Sequence, residues 1–184
     1  IWRYCTAESH LHERRSFVQA GLLYHDCAKS VRVLKGVDNA VNDLMMRLME
    51  LSSQGYFCSQ ILLMLRLEAE GKENPDLVRA LGGLAGGMGF CGKACGALTG
   101  GACMIAYYAS KGSEEEMEDD RLNEMIASLI GWFEAEVGGQ FGGTDCAVIL
   151  DGDMANRKKR CPMIVEGVYN KAMEILNENG YDLM

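Results

Sequence analysis

Apolar residues recur along most of this chain at the three- and four-residue spacing of an amphipathic α-helix. The clearest stripe consists of Val41, Leu44, Met45, Leu48, Met49 and Leu51. Asp38 or Asn39 can cap this helix, and Gly55 can end it. The pattern predicts a well-defined helix here, preceded by a weakly patterned segment at residues 7–35.

Two more helices are predicted in the next stretch of the chain. One begins near Phe57 and stops at Gly71. The other begins at Asn74 and Pro75, a pair typical of an N-cap with proline at the first helical position, and runs towards Leu84.

Helix start and stop signals continue in the second half of the chain. Ser113 and Glu116 match a capping box in front of a long apolar stripe, which the pair Gly138-Gly139 would close. Thr144 can cap a short helix over residues 145–150. These signals predict one long helix and one short helix.

Proline at position 162 is predicted to open the last helix. Val148-Ile149-Leu150 is the only short β-like run, and its cap signal favours a helix. The expected fold class is all-α, a compact bundle of about six to seven helices.

Nine glycines fall between positions 82 and 101. Apolar residues are threaded among them, so this density predicts close backbone approach and positive φ angles rather than a free linker. The segment is expected to enter a buried central helix from about Cys95 to Ala109. Residues 94–110 carry no charge, but this 17-residue run is too short and too rich in glycine for a membrane span.

Charge divides the chain into two parts. Residues 1–37 carry a net charge of +3, and the remainder carries −11, for a total of −8. We therefore distinguish a basic N-terminal arm or helix (1–37) from a cysteine-containing helical domain (38–184). An acidic body of this kind is not expected to bind nucleic acid, whose affinity for proteins depends on Lys and Arg.

No signal-peptide pattern is found, so a cytoplasmic, reducing environment is expected. The eight cysteines are then interpreted as thiols, metal ligands or redox groups rather than structural bridges.

Four of the cysteines lie where helices are predicted to begin: Cys58, Cys95, Cys146 and Cys161. We call them the cysteine quartet. A helix N-terminus carries partial positive charge and free N–H groups, which favour a thiolate over a thiol. The basic run at residues 157–160 would add to this effect if it were close in space, although a solvated loop is the commoner role of such a run.

A plainer interpretation treats the cysteines as small buried apolar residues. It is preferred for Cys103, in the middle of a predicted helix, and for Cys5 and Cys27 in the basic arm. The methionines at positions 45, 46, 49 and 64 are similarly interpreted as core or interface residues.

Several other chemistries find little support in the sequence. No Cys-x-x-Cys pair occurs, which argues against a thioredoxin-type dithiol or a standard zinc knuckle. All three histidines lie in the basic arm, where His10 with His12, or His25 with Cys27, could bind a metal. The glycine-rich segment lacks the ending of a phosphate-binding loop.

Four segments carry a resemblance to a known family. They read Gly-Tyr-Phe-Cys-Ser-Gln (55–60), Ala-Cys-Gly-Ala-Leu-Thr-Gly (94–100, after Ala-Gly-Gly-Met-Gly at 85–89), Thr-Asp-Cys (144–146) and Arg-Cys-Pro (160–162). In this order they resemble the C-GCAxxG-C-C family, whose members are described as redox-active and which has a related domain in split-Soret cytochromes c. The chain has no Cys-x-x-Cys-His segment, so haem attachment is not expected.

The resemblance implies that the cysteine quartet carries the chemistry and binds the metal, with Cys91, Gly96 and Gly100 at the cofactor. The relation to cytochromes with an iron–sulfur centre favours an iron–sulfur cluster and an electron-transfer function with a redox partner protein. Two alternatives stay open: a metal-free protein that cycles a cysteine pair between dithiol and disulfide, and a non-catalytic helical interaction module with a structural metal site. The sequence does not decide whether the protein is an enzyme or forms a homodimer.

Overall fold

Seven helical rods form the part of the chain that the computed structural model describes, which is residues 39–183. The helices are α1 (Asn39–Ser53), α2 (Cys58–Ala69), α3 (Pro75–Leu81), α4 (Gly96–Ala109), α5 (Leu122–Phe133), α6 (Gly139–Phe141), α7 (Cys146–Ile149) and α8 (Arg157–Glu178). A π turn, Glu134–Gly138, joins α5 and α6 into one rod. These residues contain no strand, which confirms the all-α prediction. No helix among them is both long and apolar enough to cross a bilayer.

The first three predicted helices are confirmed, and their ends follow from local chemistry. Gly55 and Gly71 take φ angles of +95° and +65°, which stop α1 and α2. The Asn74 side chain accepts a hydrogen bond of 3.1 Å from the Leu77 N–H and caps α3. The helix considered within residues 7–35, together with the cysteines and histidines of the basic arm, lies outside the described residues.

Helix α4 is the central helix, packed between α2, α5 and α8. Its glycines allow the neighbouring helices to approach closely. A Cβ atom at Gly100 would lie 2.7 Å from the Ser59 Cα of α2, and one at Gly101 would lie 2.4 Å from a Val168 methyl of α8. Met104 and Ile105 of α4 are fully buried. The predicted buried central helix is therefore confirmed, and its glycines serve helix packing.

The glycine-rich segment in front of α4 forms a left-handed turn. Five consecutive residues, 86–90, have φ angles between +60° and +74°. Glycine adopts this conformation readily, but Met88 and Phe90 are strained there by roughly 1–2 kcal/mol each. The prediction of positive φ angles is confirmed. The turn also fixes the position of the loop that runs into α4.

The predicted start and end of the long helix are wrong. Residues 113–121 form turns rather than a helix, and the Glu116 carboxylate accepts a hydrogen bond from the Gly112 N–H instead of capping α5. Six carboxylates crowd this stretch and give it no apolar face to bury. At its other end the rod passes through Gly138-Gly139, where Val137 is buried, and stops at Gly142 with φ +81°.

The last two helices also begin at residues other than those predicted. Asp145 rather than Thr144 is the N-cap of α7. Helix α8 starts at Arg157, five residues before Pro162. The missed signal is Asp153, whose carboxylate accepts a 2.9 Å hydrogen bond from the Ala155 N–H and caps a 3₁₀ turn that leads into α8.

Candidate functional site

The structure brings the cysteine quartet together at one end of the bundle. The four residues come from the starts of α2, α4 and α7 and from the second turn of α8, and all are free thiols. A negative charge on one sulfur raises the pKa of another for every pair among the four. The proximity expected from the sequence is therefore present.

Cys58 is the first residue of α2, and its sulfur packs against the backbone of the segment that holds Cys95. A Cβ atom at Gly96 would lie only 2.6 Å from the Cys58 Sγ. Burial raises the pKa of Cys58, while the N–H groups of Gly86 and Ser59 oppose that rise. The left-handed turn thus aims a backbone donor at this sulfur.

Cys95 is the N-cap of α4 and is buried. Burial raises its pKa to about 11, with a further rise from Cys58, although the N–H groups of Ala97 and Leu98 act in the opposite direction. Two quartet members therefore have backbone donors near their sulfurs, as a helix start provides.

Cys146 is held beside Cys95 by the glycine-rich segment. The carbonyls of Lys93 and Gly92 accept hydrogen bonds of 2.8 and 3.0 Å from the N–H groups of Cys146 and Ala147. Because these bonds use the free N–H groups of α7, no backbone donor near the Cys146 sulfur offsets its burial. Burial raises the pKa of Cys146 to about 12, helped by the charges of Cys95 and Cys58.

Cys161 lies within α8 rather than at its start, which corrects the prediction made from Pro162. Burial raises its pKa, and the other three cysteines raise it further, whereas Arg157 lowers it. The Arg160 guanidinium donates a 2.6 Å hydrogen bond to the Ile149 carbonyl and so ties α8 to α7. The basic run is therefore the first turn of α8 and not a solvated loop.

The predicted stabilisation of thiolates is wrong in its net direction. All four pKa values lie above that of a free cysteine, because removal of each sulfur from water outweighs the partial charge of the helix starts. Without a compensating cation the quartet is neutral near pH 7, and its four thiols keep their protons.

A cavity of about 470 Å³ opens beside the quartet and is lined by three of its members, Cys58, Cys146 and Cys161. Phe57 and Phe90 form part of its wall, with their rings edge to face and 4.9 Å apart. The Arg157 guanidinium also lines the cavity and lies over the Phe57 ring, 5.3 Å from its centre. The sulfurs therefore face a mostly apolar space with a cation at one side.

Four other predicted residues lie around this centre in different ways. Gly96 touches the Cys58 sulfur, whereas Gly100 lies at the crossing of α2 and α4. Cys91 does not line the cavity, and its sulfur contacts the Gly89 carbonyl at 3.9 Å. A cofactor-binding role of these three residues stays a prediction. Cys103 is half-buried against a separate group of leucines on α2 and α3, as expected for a packing residue.

Sequence reasoning missed the residues that surround the sulfurs: Phe57, Gly86, Phe90 and Arg157. Two signals were available. Phe57 directly precedes Cys58, and Phe90 is an aromatic residue in a glycine-rich segment that had no evident use for it. The contact of Arg157 with Phe57 joins positions 100 residues apart, which no local pattern reveals.

Comparison with known families agrees with this geometry. A family model described as "Putative redox-active protein (C_GCAxxG_C_C)" matches residues 56–175, which include the whole quartet. The chain belongs to the C-GCAxxG-C-C family. Its description assigns redox activity to the C-GCAxxG-C-C family without a substrate or cofactor. No curated protein and no solved structure matches the chain significantly.

Proposed function

We propose that the cysteine quartet is a single redox site that binds an iron–sulfur cluster and transfers electrons. The observation that supports this most directly is the meeting of four free, electrostatically coupled thiols from four separate helices. Four cysteine thiolates are the standard ligand set of such clusters. When bound, a cluster would supply a one-electron redox couple.

The fit of the site to a metal centre depends on the kind of centre. Among the side chains of residues 43–183, no three His, Cys, Asp or Glu groups are arranged to hold a single metal ion. A structural zinc ion, which needs four ligands on one atom, is therefore a poor match. In a cluster each cysteine binds a different iron, so its four sulfurs stand further apart, and the adjoining cavity gives them space.

The protein's own contribution to this chemistry follows from its charges. Four thiolates in a buried place repel each other, so the free thiols keep their protons and would release them on binding a cationic centre. The Arg157 charge, which acts on both Cys58 and Cys161, and the N–H groups at Cys58 and Cys95 would stabilise the remaining negative charge. Buried thiols shielded from water would also limit side reactions.

The test is iron and acid-labile sulfide analysis of protein purified without oxygen, before and after reconstitution. We expect iron and sulfide to bind in equal amounts with a brown chromophore, and Cys161→Ser to lower the iron content severalfold. Cys103→Ser is the matched control and should retain normal content, because Cys103 lies against other residues. Colourless protein that takes up neither iron nor sulfide would contradict the proposal.

A second candidate, a dithiol that cycles to a disulfide, is favoured by one specific contact. The Cys58 sulfur lies against Gly96, the residue next to Cys95, and both sulfurs are free. In this reaction Cys58 and Cys95 would lose two protons and two electrons to form one S–S bond. A disulfide in a partner molecule would accept them and become two thiols.

Thiol counting separates the two candidates. Treatment of metal-free protein with a small organic disulfide should remove the Cys58 and Cys95 thiols together, and dithiothreitol should restore both. Peptide mass spectrometry identifies the pair. Loss of only one of these thiols, or of neither, would contradict the dithiol candidate and leave the cluster proposal unaffected.

A further inference from the structure

The cavity beside the quartet has an unbalanced charge. Of the described residues that line it, Arg157 and Lys158 are cationic and none is Asp or Glu. Most of the remaining wall is apolar and includes Phe57, Phe90 and Met154. The protein as a whole is acidic, with a net charge of −8, so a cationic edge without carboxylates stands out against the rest of the molecule.

The Arg157 side chain is positioned but not neutralised. Its guanidinium lies over the Phe57 ring at 5.3 Å, and no carboxylate among residues 43–183 forms an ion pair with it. By contrast, the guanidinium groups of Arg47, Arg66 and Arg121 each pair with an acidic side chain. The Arg157 guanidinium can therefore bind an incoming anion without first breaking an ion pair.

The size and walls of the cavity restrict what such an anion can be. A space of about 470 Å³ is in the range of sites for small organic molecules, and aromatic walls favour an apolar body. The planar guanidinium recognises carboxylates through two parallel hydrogen bonds. Both features apply to the same space.

We propose that this cavity binds a small organic carboxylate, with its apolar body between Phe57 and Phe90 and its carboxylate on Arg157. Three quartet sulfurs line the same space, so the bound molecule lies where it could receive or donate electrons. The binding site does not depend on which redox chemistry the quartet carries. It places an anionic substrate or effector next to the sulfurs.

The first test measures the equilibrium binding of 1-naphthoate and of neutral 1-naphthylmethanol to the full-length, metal-free, reduced protein. The two probes share an apolar ring system and differ in the carboxylate. We expect naphthoate to bind roughly tenfold more tightly, the effect of one charge-assisted contact. The Arg157→Gln variant should abolish this preference, and Arg157→Lys should restore part of it.

Arg79→Gln is the matched control, since Arg79 is an exposed arginine on α3 that does not line the cavity. It should leave both dissociation constants unchanged. Equal binding of the two probes by the wild-type protein would overturn the proposal, as would an unchanged preference in Arg157→Gln with its circular dichroism intact.

A second test locates the site at the sulfurs. Iodoacetate and iodoacetamide alkylate the same thiolate and differ in charge, so the ratio of their rates at one cysteine does not depend on its pKa. We expect this ratio to be severalfold higher at Cys58 than at Cys103, and to fall in Arg157→Gln. Saturating naphthoate should slow alkylation at Cys58 alone.

Equal ratios at the two cysteines, or naphthoate binding that does not protect Cys58, would overturn the placement of the anion at the quartet. Iron and sulfide uptake is measured separately. A failed uptake experiment with intact naphthoate binding would remove the cluster proposal only, and the reverse result would remove the anion site only.

Discussion

Two buried polar clusters lie in this fold, and they differ in whether their charges are balanced. In the first, the Arg66 guanidinium on α2 pairs with Glu70, and Tyr108 donates a hydrogen bond to Glu70 while accepting one from Arg66. Lys72 pairs with the same carboxylate at 2.8 Å, and Arg66 also donates to the Leu183 carbonyl at 3.2 Å. Each charge there has an opposite charge beside it.

The cysteine quartet is the second cluster, and its members can acquire charge of one sign only. Arg157 and a few N–H groups are the positive elements that act on it. The Arg66 cluster is thus complete and ties α2 to α4 and the end of the chain. The quartet, by comparison, requires protonation, oxidation or a bound cation, which is a property of a site rather than of a structural lock.

The largest effect should come from opening the complete cluster. We expect Arg66→Met to lower the free energy of unfolding by about 3–5 kcal/mol, because it leaves the buried Glu70 carboxylate without its main partner. Urea denaturation monitored by circular dichroism measures this change. Arg47→Met is the control: its partner Glu68 is partly exposed, so the loss should be less than about 1 kcal/mol. Similar losses in both variants would contradict the distinction.

The next effect concerns the close approach within the quartet. In Gly96→Ala the new methyl group would lie 2.6 Å from the Cys58 sulfur and 2.9 Å from the Leu84 carbonyl oxygen. We expect a loss of about 1–3 kcal/mol in unfolding free energy and a lower capacity for iron, because the sulfur must move.

Gly131 on α5 provides the opposite case for this substitution. A Cβ atom there meets no atom within 4 Å, so Gly131→Ala should stabilise the protein by about 0.5–1 kcal/mol through its helix propensity alone. If Gly96→Ala were also neutral or stabilising, the tight contact between Cys58 and Gly96 would not exist.

The two clusters should fail at opposite ends of the pH scale. Burial raises the pKa of Cys95 to about 11 and that of Cys146 to about 12, above the value of roughly 8.5 for an unfolded cysteine. Their contribution is therefore complete below that value and is lost as pH rises towards 11–12. Each thiol should remove about 1 kcal/mol per pH unit within this window.

Glu70 behaves in the reverse sense. Burial pushes its pKa up, but hydrogen bonds from Lys72, Tyr108 and Arg66 outweigh this, and the net pKa is lowered. Its contribution is present above the unfolded pKa and is lost as pH falls. Urea unfolding of metal-free, reduced protein at pH 4, 7 and 10 tests both slopes. A Cys146→Ser variant should flatten only the alkaline slope, and an unchanged alkaline slope would contradict the raised thiol pKa.

The helices and the identity of the quartet followed from local signals, whereas the electrostatics did not. The stripe before Gly55 and the cap at Asn74 are local, and the structure has both. Two failures had different causes. The start of α8 depended on Asp153, a weaker signal than Pro162, and the sign of the thiol pKa shifts depended on burial, which follows only from the assembled bundle.

The smallest effect should come from the cysteine that the quartet excludes. Cys103 is half-buried on α4 among Leu63, Leu67 and Leu81, and burial alone raises its pKa. Cys103→Ala removes one sulfur atom from a partly solvated contact, so we expect a loss of no more than about 1 kcal/mol. Its iron content, thiol oxidation and naphthoate affinity should match those of the wild-type protein. Because Cys103 is a thiol with a raised pKa but without a second sulfur beside it, any redox change in this variant would mean that burial, rather than the meeting of four sulfurs, marks the reactive cysteines.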